Sequence, residues 1–130
     1  MKSFPNQIPV FPLRGVIYFP QTNLPLNIFE KRYLDLVNDC IRKDKLMGMI
    51  QSKRKNEELY KVGCLGKISD FQKSKDGRIL INLTGITRFQ VLEEVKNSKL
   101  YREFKVDYEK FSLDLKPALE EINTESLMKK

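Results

Sequence analysis

The sequence predicts a mainly β fold with one or two helices, in which about six short strands close wholly or partly into a barrel. Residues 79–84 and 100–108 alternate between two faces, as half-buried strands do. The strands follow one another at close spacing, and Asp76-Gly77 is a strong hairpin turn pair. Only one segment before residue 112 shows clear helical spacing. Short strands at this spacing favour a barrel over a parallel α/β sheet.

The chain opens on an apolar run, residues 8–13, that Pro9 and Pro12 interrupt. Since proline cannot donate to a strand ladder, we expect an edge or first strand there. Residues 14–20 repeat the apolar theme, and residues 21–23 are expected to form a loop.

The clearest helix is predicted between the first and second strands. Asn27 is a favoured N-cap residue, and Glu30, three positions later, completes a capping-box pair. The apolar positions that follow lie three and four apart on one face: Phe29, Tyr33, Leu36, Val37, Cys40 and Ile41. The helix therefore packs by one stripe onto the sheet.

Strands are predicted for most of the remaining chain. Gly85 is expected to break one strand before another begins at Arg88. The predicted strands are residues 46–50, 59–72, 79–84, 88–92 and 100–108. Residues 112–130 change character, with leucines among acids after Pro117 at a plausible helix start.

Composition excludes several classes of function. With 41% hydrophobic and 32% charged residues in 130, the chain has enough apolar material for one core and is not a disordered tail. It has no histidine, which removes the commonest general base and metal ligand. Two cysteines, Cys40 and Cys64, cannot make a zinc site alone, so we expect reduced thiols, no metal and no cofactor. Without a signal peptide or an apolar run of about 20 residues, a cytoplasmic location is predicted.

The formal net charge of +7 raises the alternative of a nucleic-acid surface. The densest basic run, Lys53-Arg54-Lys55, is followed closely by Glu57-Glu58, so its field is partly cancelled. The other lysines stand mostly alone, as residues used for solubility and edge protection do. The solvation interpretation is favoured, and RNA binding stays open as the alternative.

Five separate pieces of the sequence resemble the LON domain, the N-terminal domain of the Lon protease family and a PUA-like pseudo-barrel. They fall in order over residues 7–110. The pieces are Ile8-Pro-Val-Phe-Pro-Leu-Arg-Gly15, Leu24-Pro-Leu-Asn-Ile-Phe-Glu30, Arg32-Tyr33 with Leu36-Val37, Val62-Gly-Cys-Leu-Gly-Lys-Ile68, and Asp76-Gly77 with Leu83-Thr-Gly-Ile-Thr-Arg-Phe89.

The resemblance implies a LON-type domain over residues 1–111, closest to the stand-alone LON-domain proteins of bacterial type. Those continue into a helical region, which residues 112–130 begin and do not complete. The resemblance further implies a non-enzymatic module that recognises unfolded or extended polypeptide, or a protease or assembly partner. An RNA-binding PUA-like module is the alternative. The sequence contains no phosphate-binding loop of the Walker type.

The candidate peptide-binding residues are Tyr18, Phe19, Leu24 and Leu26. They lie among prolines and a glycine, outside any clear periodicity. One interpretation is that they fill the barrel mouth and anchor the helix. The other is an exposed apolar groove for extended peptide.

Two Ser-x-x-Lys spacings, beginning at Ser52 and Ser126, match a nucleophile–base pair. In a lysine-rich chain we attribute both to chance and predict no catalytic residue.

Overall fold

In a computed structural model, which describes residues 4–13, 20–53 and 59–114, the chain forms six strands, one α-helix and a 3₁₀-helix. The strands are β1 (Gln7–Leu13), β2 (Asn23–Ile28), β3 (Leu46–Gln51), β4 (Val62–Lys73), β5 (Ile79–Val95) and β6 (Arg102–Asp107). The helix α1 spans Lys31–Ile41, and the 3₁₀-helix spans Glu109–Asp114. The predicted fold class, mainly β with about six strands and one or two helices, is confirmed.

The strands form a closed ring with one strand outside it. β1 pairs in parallel with β3 and antiparallel with β6, while β4 joins β3 to β5. Pairing of β5 with β6 closes the ring, from Gln90↔Asp107 to Val95↔Glu103. Among the described residues β2 pairs with β5 alone. We call the ring the barrel.

β2 belongs to a second, three-stranded region. It runs antiparallel to Ile79–Thr84 of β5, and the same part of β5 pairs on its other side with Lys67–Lys73 of β4. β3 reaches only as far as Lys67 along β4. We call these three segments the open sheet, because β2 and the part of β4 beyond Ile68 have a neighbouring strand on one side only within the described chain.

β5 is continuous, so the prediction that Gly85 breaks it is wrong. Gly85 is buried and pairs with Gly66, whereas the preceding pair is Leu65↔Thr87. Ile86 therefore has no partner on β4 and forms a β-bulge, which bends the strand without ending it. This bend lets one strand serve both the open sheet and the barrel.

Two apolar clusters form the core. One lies inside the barrel and contains Ile8, Val10, Ile50, Leu65, Phe89, Phe104 and Val106. The other lies between the sheet and α1 and contains Leu13, Ile28, Leu36, Val37, Cys40, Met47, Met49, Ile68, Ile79, Ile81, Leu83 and Tyr101. β3 is buried on both faces, which explains its unbroken apolar sequence.

The helix begins later than the capping-box pattern predicts. Asn27 lies in β2 opposite Leu80, and Glu30 is the N-cap residue of α1 without a side-chain capping bond. The helix therefore follows the second strand, not the first. Its amphipathic face is as predicted, with Leu36, Val37 and Cys40 buried.

The thiols and the hairpin turn agree with the sequence. Cys40 and Cys64 are free and buried. Gly77 takes a φ of 95°, the left-handed conformation that the Asp-Gly pair predicts. The described part of the chain contains no helix long and apolar enough to span a membrane.

Candidate functional site

A groove of about 480 Å³ lies where the ends of β1 and β2 meet the start of α1. Its lining comes from four parts of the chain, which the fold brings together. The lining residues are Phe11, Pro12, Asn27, Ile28, Phe29, Glu30, Arg32, Tyr33, Ser52, Leu59 and Arg102.

The wall of the groove is aromatic. The rings of Phe11 and Tyr33 stand 4.5 Å apart between centroids, at an interplanar angle of 46°. Phe29, between β2 and α1, keeps 63% of its surface exposed. A phenylalanine this open leaves apolar area that another apolar group can cover.

The charges around the groove lie in ion pairs. Arg32 Nε is 3.4 Å from Glu30 Oε1, and its guanidinium lies 5.0 Å from the centroid of the Tyr33 ring. Arg102 donates two hydrogen bonds of 2.9 Å to the carboxylate of Glu94. These bonds hold the pKa of Glu94 below its usual value. The groove thus combines an aromatic wall with polar and charged lining residues, and the charges of Glu30, Arg32 and Arg102 are paired.

Ser52, the first residue of one Ser-x-x-Lys spacing, has a structural role. Its amide N donates to Leu13 O at 2.8 Å, and its Oγ donates to the same oxygen at 3.3 Å. These bonds tie the end of β3 to the end of β1. Lys55, its would-be base, lies outside the described residues, as does the second spacing at Ser126.

A second cavity, of about 380 Å³, lies between the start of β1 and the last turn of α1. The Tyr101 hydroxyl there donates to Asp39 Oδ2 at 2.5 Å. Burial raises the pKa of the neighbouring Cys40 thiol to about 12. Because the thiolate is the nucleophilic form, Cys40 is an inert core residue at neutral pH.

Comparison with known proteins identifies the family. The family model described as the ATP-dependent protease La (LON) substrate-binding domain matches residues 7–130. This chain belongs to that family. The match agrees with the resemblance found in the sequence.

Curated relatives are Lon proteases of bacteria. Lon protease 2 of Myxococcus xanthus is 27% identical over 132 residues, and Lon protease of Anaeromyxobacter dehalogenans is 29% identical over 103 residues. The two alignments cover 97% and 75% of this chain but only 15% and 12% of those proteins. The LON domain described here therefore spans a small fraction of the relatives' length.

Solved structures share the fold. The crystal structure of the Lon N-terminal domain protein from Xanthomonas campestris aligns with a TM-score of 0.68 and 29% identity, covering 78% of this chain and 59% of that chain. The N-terminal domain of Mycobacterium avium complex Lon protease aligns with a TM-score of 0.61 and 14% identity, over 78% of this chain and 54% of that one. The second match supports the fold alone.

Of the four residues predicted to bind peptide, Leu24 and Leu26 are among those that the structure describes. Tyr18 and Phe19 lie outside the described residues. Leu24 and Leu26 lie on β2, half-buried against the cluster under α1, and neither lines the groove. The prediction for these four residues stays open.

The sequence does not predict Phe11, Phe29 and Leu59 as groove residues. The helical spacing predicts Phe29 on the buried face of the helix, but Phe29 precedes the first helical residue, so helical periodicity does not apply to it. Glutamate is not among the residue types preferred at an N-cap, so no local signal in the sequence indicates a helix beginning at Lys31, which leaves Phe29 in the connection.

Proposed function

We propose that this LON domain binds extended or unfolded polypeptide in the groove, as a recognition or assembly module without chemistry of its own. The observation that carries the proposal is the exposed ring of Phe29 beside the aromatic pair Phe11 and Tyr33. Because the exposed ring adjoins other aromatic side chains in a groove, it forms a patch that apolar side chains of an unfolded segment would cover. The family description, a substrate-binding domain, supports the same direction.

The charges support binding driven by apolar contact. Arg102 and Arg32 have carboxylate partners, so a ligand in the groove would meet few uncompensated charges. Binding of this kind depends weakly on salt, whereas neutralising RNA phosphates would release counterions and depend on salt steeply.

The test uses a permanently unfolded polypeptide, reduced and carboxymethylated α-lactalbumin, with binding followed by fluorescence anisotropy. Phe29→Ala is expected to weaken binding about tenfold, as loss of a central aromatic contact does. The matched control is Leu100→Ala, since Leu100 is equally exposed at 58% and does not line the groove. Both variants should melt within a few degrees of the parent chain, because neither side chain is buried.

Two results would contradict the proposal. One is equal binding by the Phe29→Ala variant and the parent chain. The other is a steep loss of all binding between low and high salt, together with capture of nuclease-sensitive partners, which would favour the RNA-binding alternative.

We further infer a cytoplasmic location, which the two free, buried thiols support. Whether the partner is a client polypeptide or a protease subunit is decided by the same binding assay, with each offered in turn. The ATP hydrolysis and proteolysis of a complete protease are not part of this proposal.

A further inference from the structure

The outer edge of β2 has backbone groups that no described strand uses. β2 is the last strand of its sheet and pairs only with β5 among the described residues. In antiparallel pairing, successive residues turn their N–H and C=O groups alternately toward the partner and away from it. Half of the backbone groups of β2 therefore point away from the sheet.

A backbone hydrogen bond next to β2 determines which half. Gly85 N donates to Thr22 O at 2.8 Å, so residue 22 faces β5. By alternation Leu24, Leu26 and Ile28 also face β5, and Asn23, Pro25 and Asn27 face outward. The position of Pro25 agrees with this alternation, because a proline whose backbone nitrogen faced β5 would remove a hydrogen bond between the two strands.

The other free edge, on β4 from Ser69 to Lys73, has more of the features that prevent strand addition than the β2 edge, where Pro25 alone is one. The β4 edge carries the charges of Asp70 and Lys73, and it has a register irregularity between Ile68 and Asp70. Charges and bulges are devices by which proteins prevent strand addition. β2, with the sequence Asn-Leu-Pro-Leu-Asn-Ile, has no charge and only one proline.

The β2 edge also leads into the groove. Asn27 and Ile28, its last two residues, both line the groove. Leu24 and Leu26 remain half-buried against the helix cluster, so the side chains of an added strand would lie beside them. The backbone edge and the groove thus form one continuous surface.

We propose that an extended segment of a partner polypeptide adds to β2 as a further strand and continues into the groove. The occupant is a polypeptide with free backbone amides and without proline at the positions facing β2, since the strand would bond to the N–H groups of Asn23 and Asn27 and to the C=O groups of Asn23, Pro25 and Asn27. This inference rests on the proposed function and adds to it a backbone-directed mode of recognition.

The first test leaves the protein unchanged. The ten-residue segment of α-lactalbumin that binds the full chain best on a peptide array is synthesised with one N-methyl group at each position in turn. Strand addition predicts that methylation weakens binding about fivefold or more at every second residue and little at the residues between, because only alternate amides face β2. A flat profile would overturn strand addition while leaving polypeptide binding intact.

The second test changes the edge. Asn27→Pro removes an outward N–H of β2, and Lys73→Pro removes an outward N–H of the β4 edge as the matched control. We expect about fivefold weaker peptide binding for Asn27→Pro and unchanged binding for Lys73→Pro, with melting curves to show that both variants fold.

Three outcomes would overturn strand addition. Equal peptide binding by the Asn27→Pro variant and the parent chain is the first. The second is a parent chain that forms a dimer which Asn27→Pro dissociates without any effect on peptide binding, because the edge then pairs with a second copy. The third is a parent chain that binds no peptide at all, which would also remove the proposed function.

Discussion

The barrel and the open sheet share β4 and β5 but differ in how tightly they are enclosed. In the barrel, side chains fill the interior so closely that Gly48 and Gly63 have no room for a Cβ atom. In the open sheet, strand edges are free within the described chain, and Leu80 remains half exposed. On the proposed function, the barrel would supply most of the stability, and the open sheet with its adjoining groove would supply the binding surface.

The most damaging change is expected at Phe89, which is fully buried inside the barrel. Phe89→Ala should lower the free energy of unfolding by about 3–5 kcal/mol, because it leaves a cavity where the ring packed. The matched control on the same strand is Leu92→Ala, whose side chain is 61% exposed and which should cost less than about 0.5 kcal/mol. Urea denaturation measures the free energy of unfolding of both variants. Equal losses would contradict the expected difference between a side chain inside the barrel and one on its surface.

Gly63→Ala tests the close packing directly. A Cβ there would lie 2.7 Å from Met49 O and 2.7 Å from Phe89 Cζ, so backbone must move. We expect a loss of about 2–3 kcal/mol, as overpacked cores show. Gly77→Asn in the open sheet should cost less, since no atom lies within 4 Å of its Cβ position and asparagine tolerates a positive φ. A larger loss of thermal stability for Gly77→Asn than for Gly63→Ala would contradict the expected order.

Tyr101→Phe tests the contact between α1 and β6. Removing the hydroxyl that donates to Asp39 should cost about 1 kcal/mol at pH 7. Burial, and then the bond to Asp39, raise the pKa of Tyr101, and burial also raises the pKa of Tyr108.

The pH dependence follows from the direction of those shifts. A tyrosine whose pKa is raised in the folded state makes its full contribution to the free energy of unfolding below the unfolded pKa of about 10. This contribution is lost as the pH rises above that value. The parent chain should therefore lose stability above about pH 10, and Tyr101→Phe should lose less. Parallel curves for the two proteins would contradict the role of Tyr101.

The smallest effect is expected at the hairpin turn of the open sheet. Hydrogen bonds from Ser74 and Arg78 lower the pKa of Asp76 to about 2. A lowered pKa contributes stability above the unfolded value, and the contribution is lost as pH falls toward 2. Asp76→Asn should lower Tm barely measurably at pH 7 and not at all near pH 2. A large decrease in Tm at pH 7 would show that this turn contributes substantially to the stability of the fold.

The strands were predictable where local pattern and tertiary packing agree. Residues 46–50 and the Asp76-Gly77 turn lie where the sequence predicts them. A strand that is buried on both faces requires an unbroken apolar run, and a turn position with a positive φ favours glycine, so both features are visible in the sequence itself. The prediction of a strand break at Gly85 is wrong, because the effect of this glycine depends on its partner Gly66 on the neighbouring strand. A bulge that depends on a neighbouring strand has no local signature.

The candidate site was less predictable than the fold. Asn27 and Glu30 match a helix-capping pattern, but six cross-strand pairs with β5 keep residues 23–28 extended. Tertiary pairing thus overrode local propensity and moved Phe29 from a helix face to the groove. The groove itself contains Phe11, Phe29, Leu59 and Arg102, which are distant in sequence, so no local sequence motif predicts it.

The pairing of β1 with β6 also has a consequence for biosynthesis. It joins Gln7 to Lys105, nearly the whole described length of the chain, and β1 borders β3 and β6 on its two sides. The ring cannot close until the sixth strand has left the ribosome, whereas the β4–β5 hairpin can form as soon as its own residues emerge. Such long-range closure makes folding slow relative to local pairing. The domain that we propose to recognise unfolded chains is thus itself an incomplete chain, with its apolar strands uncovered, for most of its own synthesis.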